Sequence, residues 1–268
     1  MHRSRLPQTP SALSLTLAAV VAIGAGAACK KPSSGATAEA SASARTRSAA
    51  VEPQPAPGRA GPIEAVDVAS DRRALVAPGA AGGEPERPIV FLHGMCTESR
   101  PSVEAWAGGA REIGTVIALD GDAACPNGGG RTWSTDIAAL DARIDAAIDA
   151  VSAADGLALD AGKLVVVGES MGASRAVALA TRFPAKYTRL VLVGGPETPT
   201  RAALPDVKAV ALLAGEKEPQ EKMQKGAANL AKAGAETRFW ELAGAVHGAY
   251  GDDGPRTMGE AIAFVARR

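Results

Sequence analysis

Leu164-Val165-Val166-Val167-Gly168-Glu169-Ser170-Met171-Gly172 is the stretch on which the reading of this chain turns. Four consecutive apolar residues, three of them β-branched, suit a strand covered on both faces. Behind them, Ala173 to Phe183 carries a helical apolar pattern that Pro184 halts. Between strand and helix there is room only for a sharp reversal. Such a turn forces Ser170 into a strained backbone conformation, and glycines two positions to either side remove the Cβ atoms that would collide. The serine is thereby presented at the strand's carboxyl end, where free N–H groups and the positive pole of the helix face any anion that forms.

Outward from this point the pattern repeats. Pro88 to His93, Thr115 to Leu119, Leu190 to Val193 and Val207 to Ala214 are nearly continuous apolar runs, and Thr237 to Leu242 reads as a last strand. Ala65 to Ala69 and Arg73 to Ala77 are weaker and are predicted to form an antiparallel edge. Ile137, Leu140, Ile144, Ile148 and Val151 recur at helical spacing, with Asp141, Arg143, Asp145 and Asp149 on other faces. Gln220 to Lys232 and Pro255 to Ala266 are two further helices. Strands alternating with helices specify an α/β fold, a mostly parallel sheet with helices on both faces. No internal repeat is present.

Over Ala65 to Arg268 the chain resembles the α/β-hydrolase family, on the strength of the serine turn and its strand-helix setting. The resemblance implies an α/β-hydrolase fold and a nucleophilic Ser170, whose hydroxyl needs a base. Of the three histidines, His2 belongs to the predicted leader. His93-Gly94 resembles the family's H-G turn beside the oxyanion site, which leaves His247, between the final strand and the last helix, as the base. Gly215-Glu216-Lys217-Glu218-Pro219 resembles the family's G-x-x-D turn and puts Glu218 in the acid position, with Glu where Asp is more frequent. Glu216 is the local competitor, and Glu197, after the strand ending Gly194-Gly195, is the distant one. Ser170, Glu218, His247 is the chain order expected of this fold. The N–H groups of Met171 and Met95 are the implied oxyanion donors. His93, Gly94 and Trp133 are pocket candidates, Trp133 having packing of the next helix as its alternative. Asn127-Gly128-Gly129-Gly130 lacks the Lys-Ser/Thr of a phosphate loop and reads as a mobile loop beside the site.

Parallel neighbouring strands would bring Cys96 and Cys125 to one sheet edge. There they form either a disulfide or two reduced, buried thiols. Only Pro196 to about Pro205 separates two central strands, which leaves no room for a cap domain. The implied activity is cleavage of a carboxylic ester or related acyl bond through an acyl-enzyme, on a small-molecule or surface-presented acyl substrate and without a cofactor. Acyl transfer or peptidase action with the same residues is the enzymatic alternative. A binding protein on an inactive hydrolase scaffold is the non-enzymatic one.

Among 268 residues, 29 Lys+Arg balance 29 Asp+Glu, so the cationic surplus that nucleic-acid binding needs is missing. Three cysteines exclude a disulfide-dense scaffold, and no C-x-x-C or H-E-x-x-H string proposes a metal site. At the N-terminus, Arg3 and Arg5 precede an apolar stretch from about Leu13 to Ala28, short for a bilayer span and placed as a secretory h-region is. Gly26-Ala27-Ala28-Cys29 resembles a bacterial lipoprotein signal, which implies lipidation of Cys29 and a membrane tether. Plain cleavage near Ala27 or Ala28 and an uncleaved anchor are the alternatives. Residues 1–28 are thus expected to be a signal peptide of an exported protein. Residues 29–62, rich in Ser, Ala, Thr and Pro, are expected to be a disordered linker, and 63–268 the hydrolase domain.

Overall fold

The computed structural model describes residues 61–80, 86–126 and 128–268. The expected signal peptide, the expected lipidation of Cys29, nearly all of the expected linker and Asn127 lie outside the described residues.

Eight strands form one sheet. In chain order they are β1 (Glu64–Val66), β2 (Ala74–Ala77), β3 (Pro88–Leu92), β4 (Thr115–Leu119), β7 (Val165–Glu169), β8 (Arg189–Val193), β9 (Ala209–Gly215) and β10 (Glu236–Leu242). Two short strands apart from it, β5 (Ala123–Ala124) and β6 (Arg131–Thr132), make an antiparallel ribbon. The order in the large sheet is β1-β2-β4-β3-β7-β8-β9-β10, parallel from β4 to β10, with β1 and β2 as the antiparallel edge that the sequence predicts. The serine strand β7 is central, between β3 and β8.

Side chains alternate across the sheet because the strand period is two. Val90, Leu92 and Val166 join a core beneath α2 (Ile137–Asp155), α3 (Met171–Arg182) and α4 (Glu221–Lys232), with Leu140, Ile144, Leu179 and Leu230. Ile89, Phe91, Val165 and Val167 join the opposite core, which α1 (Ser99–Ala110) and α5 (Gly254–Ala266) cover with Val103, Trp106, Met258 and Ile262. Every β3, β4 and β7 residue is buried, which accounts for their unbroken apolar runs.

Helix α1 is absent from the sequence prediction. Val103, Trp106, Ala107 and Ala110 do follow a helical spacing and are buried, but Pro101 at one end and Gly108-Gly109 at the other read as turn signals. Pro101 stands in the first turn, where no intrahelical acceptor awaits its missing N–H. The ribbon β5-β6 is also unpredicted. Two-residue strands carry no period of their own, and this ribbon lies next to Cys125, which is bonded to Cys96. The β8 to β9 crossover proceeds through residues 194–208 without a helix, as expected of a fold without a cap.

Candidate active site

The reversal at the end of β7 is as sharp as its sequence demands. Ser170 has φ 50° and ψ −114°, a region that L-residues with a side chain rarely occupy. A Cβ on Gly168 would lie 2.4 Å from the Gly172 carbonyl oxygen, and one on Gly172 would lie 1.9 Å from that of Leu92, so neither position tolerates a side chain. The Ser170 N–H donates to the Val193 carbonyl at 2.8 Å, which fixes the turn to β8. Met171 begins α3, so its N–H has no helical acceptor and is free for a ligand. Gly94 stands close by, 3.4 Å separating its unoccupied Cβ position from the Ser170 Cβ, and the exposed Met95 follows it.

Ser170, Glu218 and His247 meet at the carboxyl edge of the sheet. His247 Nε2 is 3.0 Å from Ser170 Oγ, and His247 Nδ1 is 2.5 Å from Glu218 Oε2. The other carboxylate oxygen, Oε1, accepts from the Gly215 N–H at 2.6 Å. Glu218 is therefore buried and fixed, whereas half of the imidazole stays open to solvent, with side-chain exposures of 8% and 52%. A carboxylate can only accept, so the Nδ1 bond carries the proton and Nε2 presents its lone pair to the serine hydroxyl. Each residue of this line sits after a different strand: β7, β9 and β10.

The competing carboxylates are engaged elsewhere. Glu216 Oε2 accepts from the Gly244 N–H at 2.7 Å, and Glu197 Oε2 accepts from the Ser174 hydroxyl at 2.7 Å. His93 and Trp133, the pocket candidates, are both buried. His93 is fully buried, its Nδ1 is 2.6 Å from the Gly94 carbonyl and its Nε2 accepts from the Gly121 N–H at 2.9 Å. Those partners set a neutral ring protonated at Nδ1, and burial holds its pKa below the ordinary histidine value. Trp133 packs on that ring at 4.9 Å and donates from Nε1 to the His93 carbonyl at 2.8 Å. The indole gives its polar tip to the backbone, so it supports the turn from below. Cys96 and Cys125 form a disulfide with Cα atoms 5.3 Å apart. Arg131 N–H adds a 2.8 Å bond to the Thr97 carbonyl, and Gly130 lies against Cys96 and Thr97. The glycine loop thus ends packed on the turn that carries Met95.

A profile described as the alpha/beta hydrolase fold matches residues 87–237, more than half of the chain. The chain belongs to this family. A search of curated protein sequences finds no match. Among solved structures, an esterase of Pyrobaculum calidifontis is similar at 18% identity and a TM-score of 0.56, covering 77% of this chain and 84% of its own. Esterase PE8 is similar at 19% identity and 0.52, covering 71% and 97%. A substrate-bound structure of FphF, a fluorophosphonate-binding serine hydrolase of Staphylococcus aureus, is similar at 11% identity and 0.52, covering 72% and 92%. At these identities the likeness establishes the α/β-hydrolase fold alone.

One polar group behind this α/β-hydrolase site escaped the sequence reading. Glu169, next to Ser170, is buried, and its Oε2 accepts from the Ser102 hydroxyl at 3.1 Å and the Tyr250 hydroxyl at 3.0 Å. Burial pushes its pKa above the usual carboxylate range, and Tyr250 is raised well above its own for the same reason, with Glu169 adding to it. Tyr250 closes the loop that carries His247, so one carboxyl ties that loop to the strand that carries Ser170. In the sequence, Glu169 is only the variable second position of the serine turn. Its two partners lie 67 and 81 residues away in the sequence, and no local signal announces them.

Proposed function

We propose that this chain is an exported serine hydrolase that cleaves a carboxylic ester or related acyl bond through an acyl-enzyme on Ser170. The observation that carries the reading is the hydrogen-bonded line from Ser170 Oγ through the His247 ring to Glu218, begun at a strained turn. In the first half-reaction His247 Nε2 takes the hydroxyl proton as Ser170 Oγ bonds to the acyl carbon. The charge that develops on the carbonyl oxygen meets the N–H of Met171 and that of Met95. As the tetrahedral intermediate collapses, the same proton passes from Nε2 to the departing alkoxide and the alcohol leaves. Water then repeats the sequence: His247 takes its proton, the acyl carbon is released as the acid, and Ser170 regains its hydrogen. Glu218 holds the ring with Nδ1 protonated and stabilises the imidazolium in both halves.

Two further features favour this reading. Met95 and Val246 are the large apolar side chains left exposed among the described residues, and both adjoin the site, where they would greet an apolar or surface-presented substrate. The Cys96–Cys125 bridge suits an oxidising compartment and so favours export. A tether through lipidated Cys29 is part of the proposal. The N-terminal mass of the mature protein, with and without Cys29→Ser, tests it.

Treatment of the purified domain with a fluorophosphonate tests the chemistry. Labelling of the wild type and loss of labelling in Ser170→Ala are expected, together with ester hydrolysis that disappears in the same variant. An unlabelled wild type would leave a binding protein on a hydrolase scaffold as the better account.

A further inference from the structure

Glu169 takes no part in the proton transfers of Ser170 and His247, yet its carboxyl touches two of the segments that serve them. One segment runs from Gly94 through Met95 into α1, and the other is the loop of residues 243–253 that carries His247 between β10 and α5. Each carboxyl oxygen meets both. Oε2 accepts from the Ser102 hydroxyl of α1 at 3.1 Å and from the Tyr250 hydroxyl of the loop at 3.0 Å. Oε1 lies 3.1 Å from the point where a Cβ on Gly94 would stand and 3.4 Å from the same point on Gly248. A methyl group at Gly94 would crowd that oxygen, and one at Gly248 would touch it.

These contacts surround the reacting line. Gly94 precedes Met95, whose N–H is an oxyanion donor in the reading above, and Gly248 follows His247. Glu169 itself precedes Ser170, so a single side chain borders donor, base and nucleophile. It is buried at 3% exposure and does not reach a substrate. Burial disfavours a charge on the carboxyl, so length and an acceptor are what this side chain supplies.

We infer that Glu169 is a positioning residue, which sets the spacing between the Met95 N–H and the His247 ring across Ser170 by clamping the two segments that carry them. The inference rests on the reading of Ser170 as nucleophile. The donor is needed where the oxyanion forms, and the base where the hydroxyl proton leaves. A displacement of about 1 Å in either costs on the order of 10²-fold in rate. Because the clamp lies behind the site, the cost falls on kcat and spares KM.

The test measures kcat and KM of the purified protein on p-nitrophenyl butyrate, with folding checked by thermal melting and Ser170 by fluorophosphonate labelling of the wild type. Glu169→Ala should lose on the order of 10²-fold in kcat. Glu169→Asp, which withdraws the carboxyl by one methylene, should lose at least about tenfold, whereas Glu169→Gln, with the same length and an acceptor, should stay within about threefold of wild type. Tyr250→Phe removes one of the two bonds to Oε2 and should lose about tenfold. In all four variants KM should stay within about threefold. A merely structural carboxyl would lower the melting temperature and leave kcat of the folded protein alone, so wild-type kcat in folded Glu169→Ala or Glu169→Asp overturns the inference. Equal losses in Glu169→Gln and Glu169→Ala also overturn it, since charge and not reach would then be the contribution. If Glu169→Ala and Glu169→Asp fail to fold, Tyr250→Phe decides, and an unchanged kcat there overturns the clamp. Those results leave the nucleophile standing; an unlabelled wild type overturns nucleophile and clamp together.

Discussion

His93 and His247 both follow a strand at the carboxyl edge of the same sheet, yet their surroundings are opposite. His93 is fully buried, and its ring nitrogens meet the Gly94 carbonyl and the Gly121 N–H at the shortest distances, with the Thr97 hydroxyl 3.1 Å from Nδ1 and the Asp120 carboxylate 3.9 Å from Nε2. His247 is half open, and its partners are the side chains of Glu218 and Ser170. Backbone partners cannot change protonation, so they hold an imidazole in one tautomer as a structural strut. A carboxylate on one side and a hydroxyl on the other let the ring gain and lose a proton in place. The difference between a strut and a base therefore lies in what the ring touches.

The largest effects should fall on the side of His247. Ser170→Ala or His247→Ala should lower kcat for any ester substrate by on the order of 10⁶-fold, with melting temperature within a few degrees of wild type. If His93→Ala gave the same pattern, the contrast between the two rings would be lost. Glu218→Gln comes next, with a loss of roughly 10³ to 10⁴-fold in kcat, because the amide can reverse the tautomer. Glu216→Gln and Glu197→Gln, assayed in parallel, should stay far closer to wild type, and a comparable loss in either would relocate the acid.

On the other side, His93→Ala should cost roughly 3–5 kcal/mol of stability, read by urea unfolding, since it opens a cavity under Trp133 and strands the Gly121 N–H. The pH dependence of stability sharpens the point. A histidine whose folded pKa is depressed contributes stability that is present above about 6.5 and is lost as pH falls through the folded value. Wild type should weaken over that acid range, and His93→Ala should show less of the loss. Glu169 has the reverse sign. Its raised carboxyl contributes stability that is full below about 4.3 and is lost as pH rises through the folded value. Glu169→Gln, which retains an acceptor for Ser102 and Tyr250, should shift the urea midpoint upward at pH 8 relative to pH 5. This is the smallest effect, and an unchanged pH profile would show that the Glu169 carboxyl does not titrate differently on folding.

Much of this was legible in the residues. Continuous runs such as Val165–Val167 and Leu190–Val193 signal strands because both faces are buried, and the serine turn declares itself because Gly168 and Gly172 are sterically compelled. The meeting of Ser170, Glu218 and His247 follows from strand ends that share one sheet edge. Other features depended on contacts that sequence spacing does not encode. Helix α1 hid behind Pro101 and Gly108-Gly109, Trp133 turned inward to the His93 carbonyl, and the Glu169 carboxyl drew its partners from α1 and from the loop before α5. Among the carboxylates Glu197, Glu216 and Glu218 the resemblance alone favoured Glu218, and the contacts of each side chain are what separate them.

The backbone at Ser170 has a consequence for descent as well as for turnover. A glycine there would ease the positive-φ backbone of Ser170 while abolishing the nucleophile, so folding and selection pull this codon in opposite directions. Relatives that have abandoned acyl chemistry should drift toward glycine or asparagine at this site, and a serine retained against that pull would be a mark of continued use.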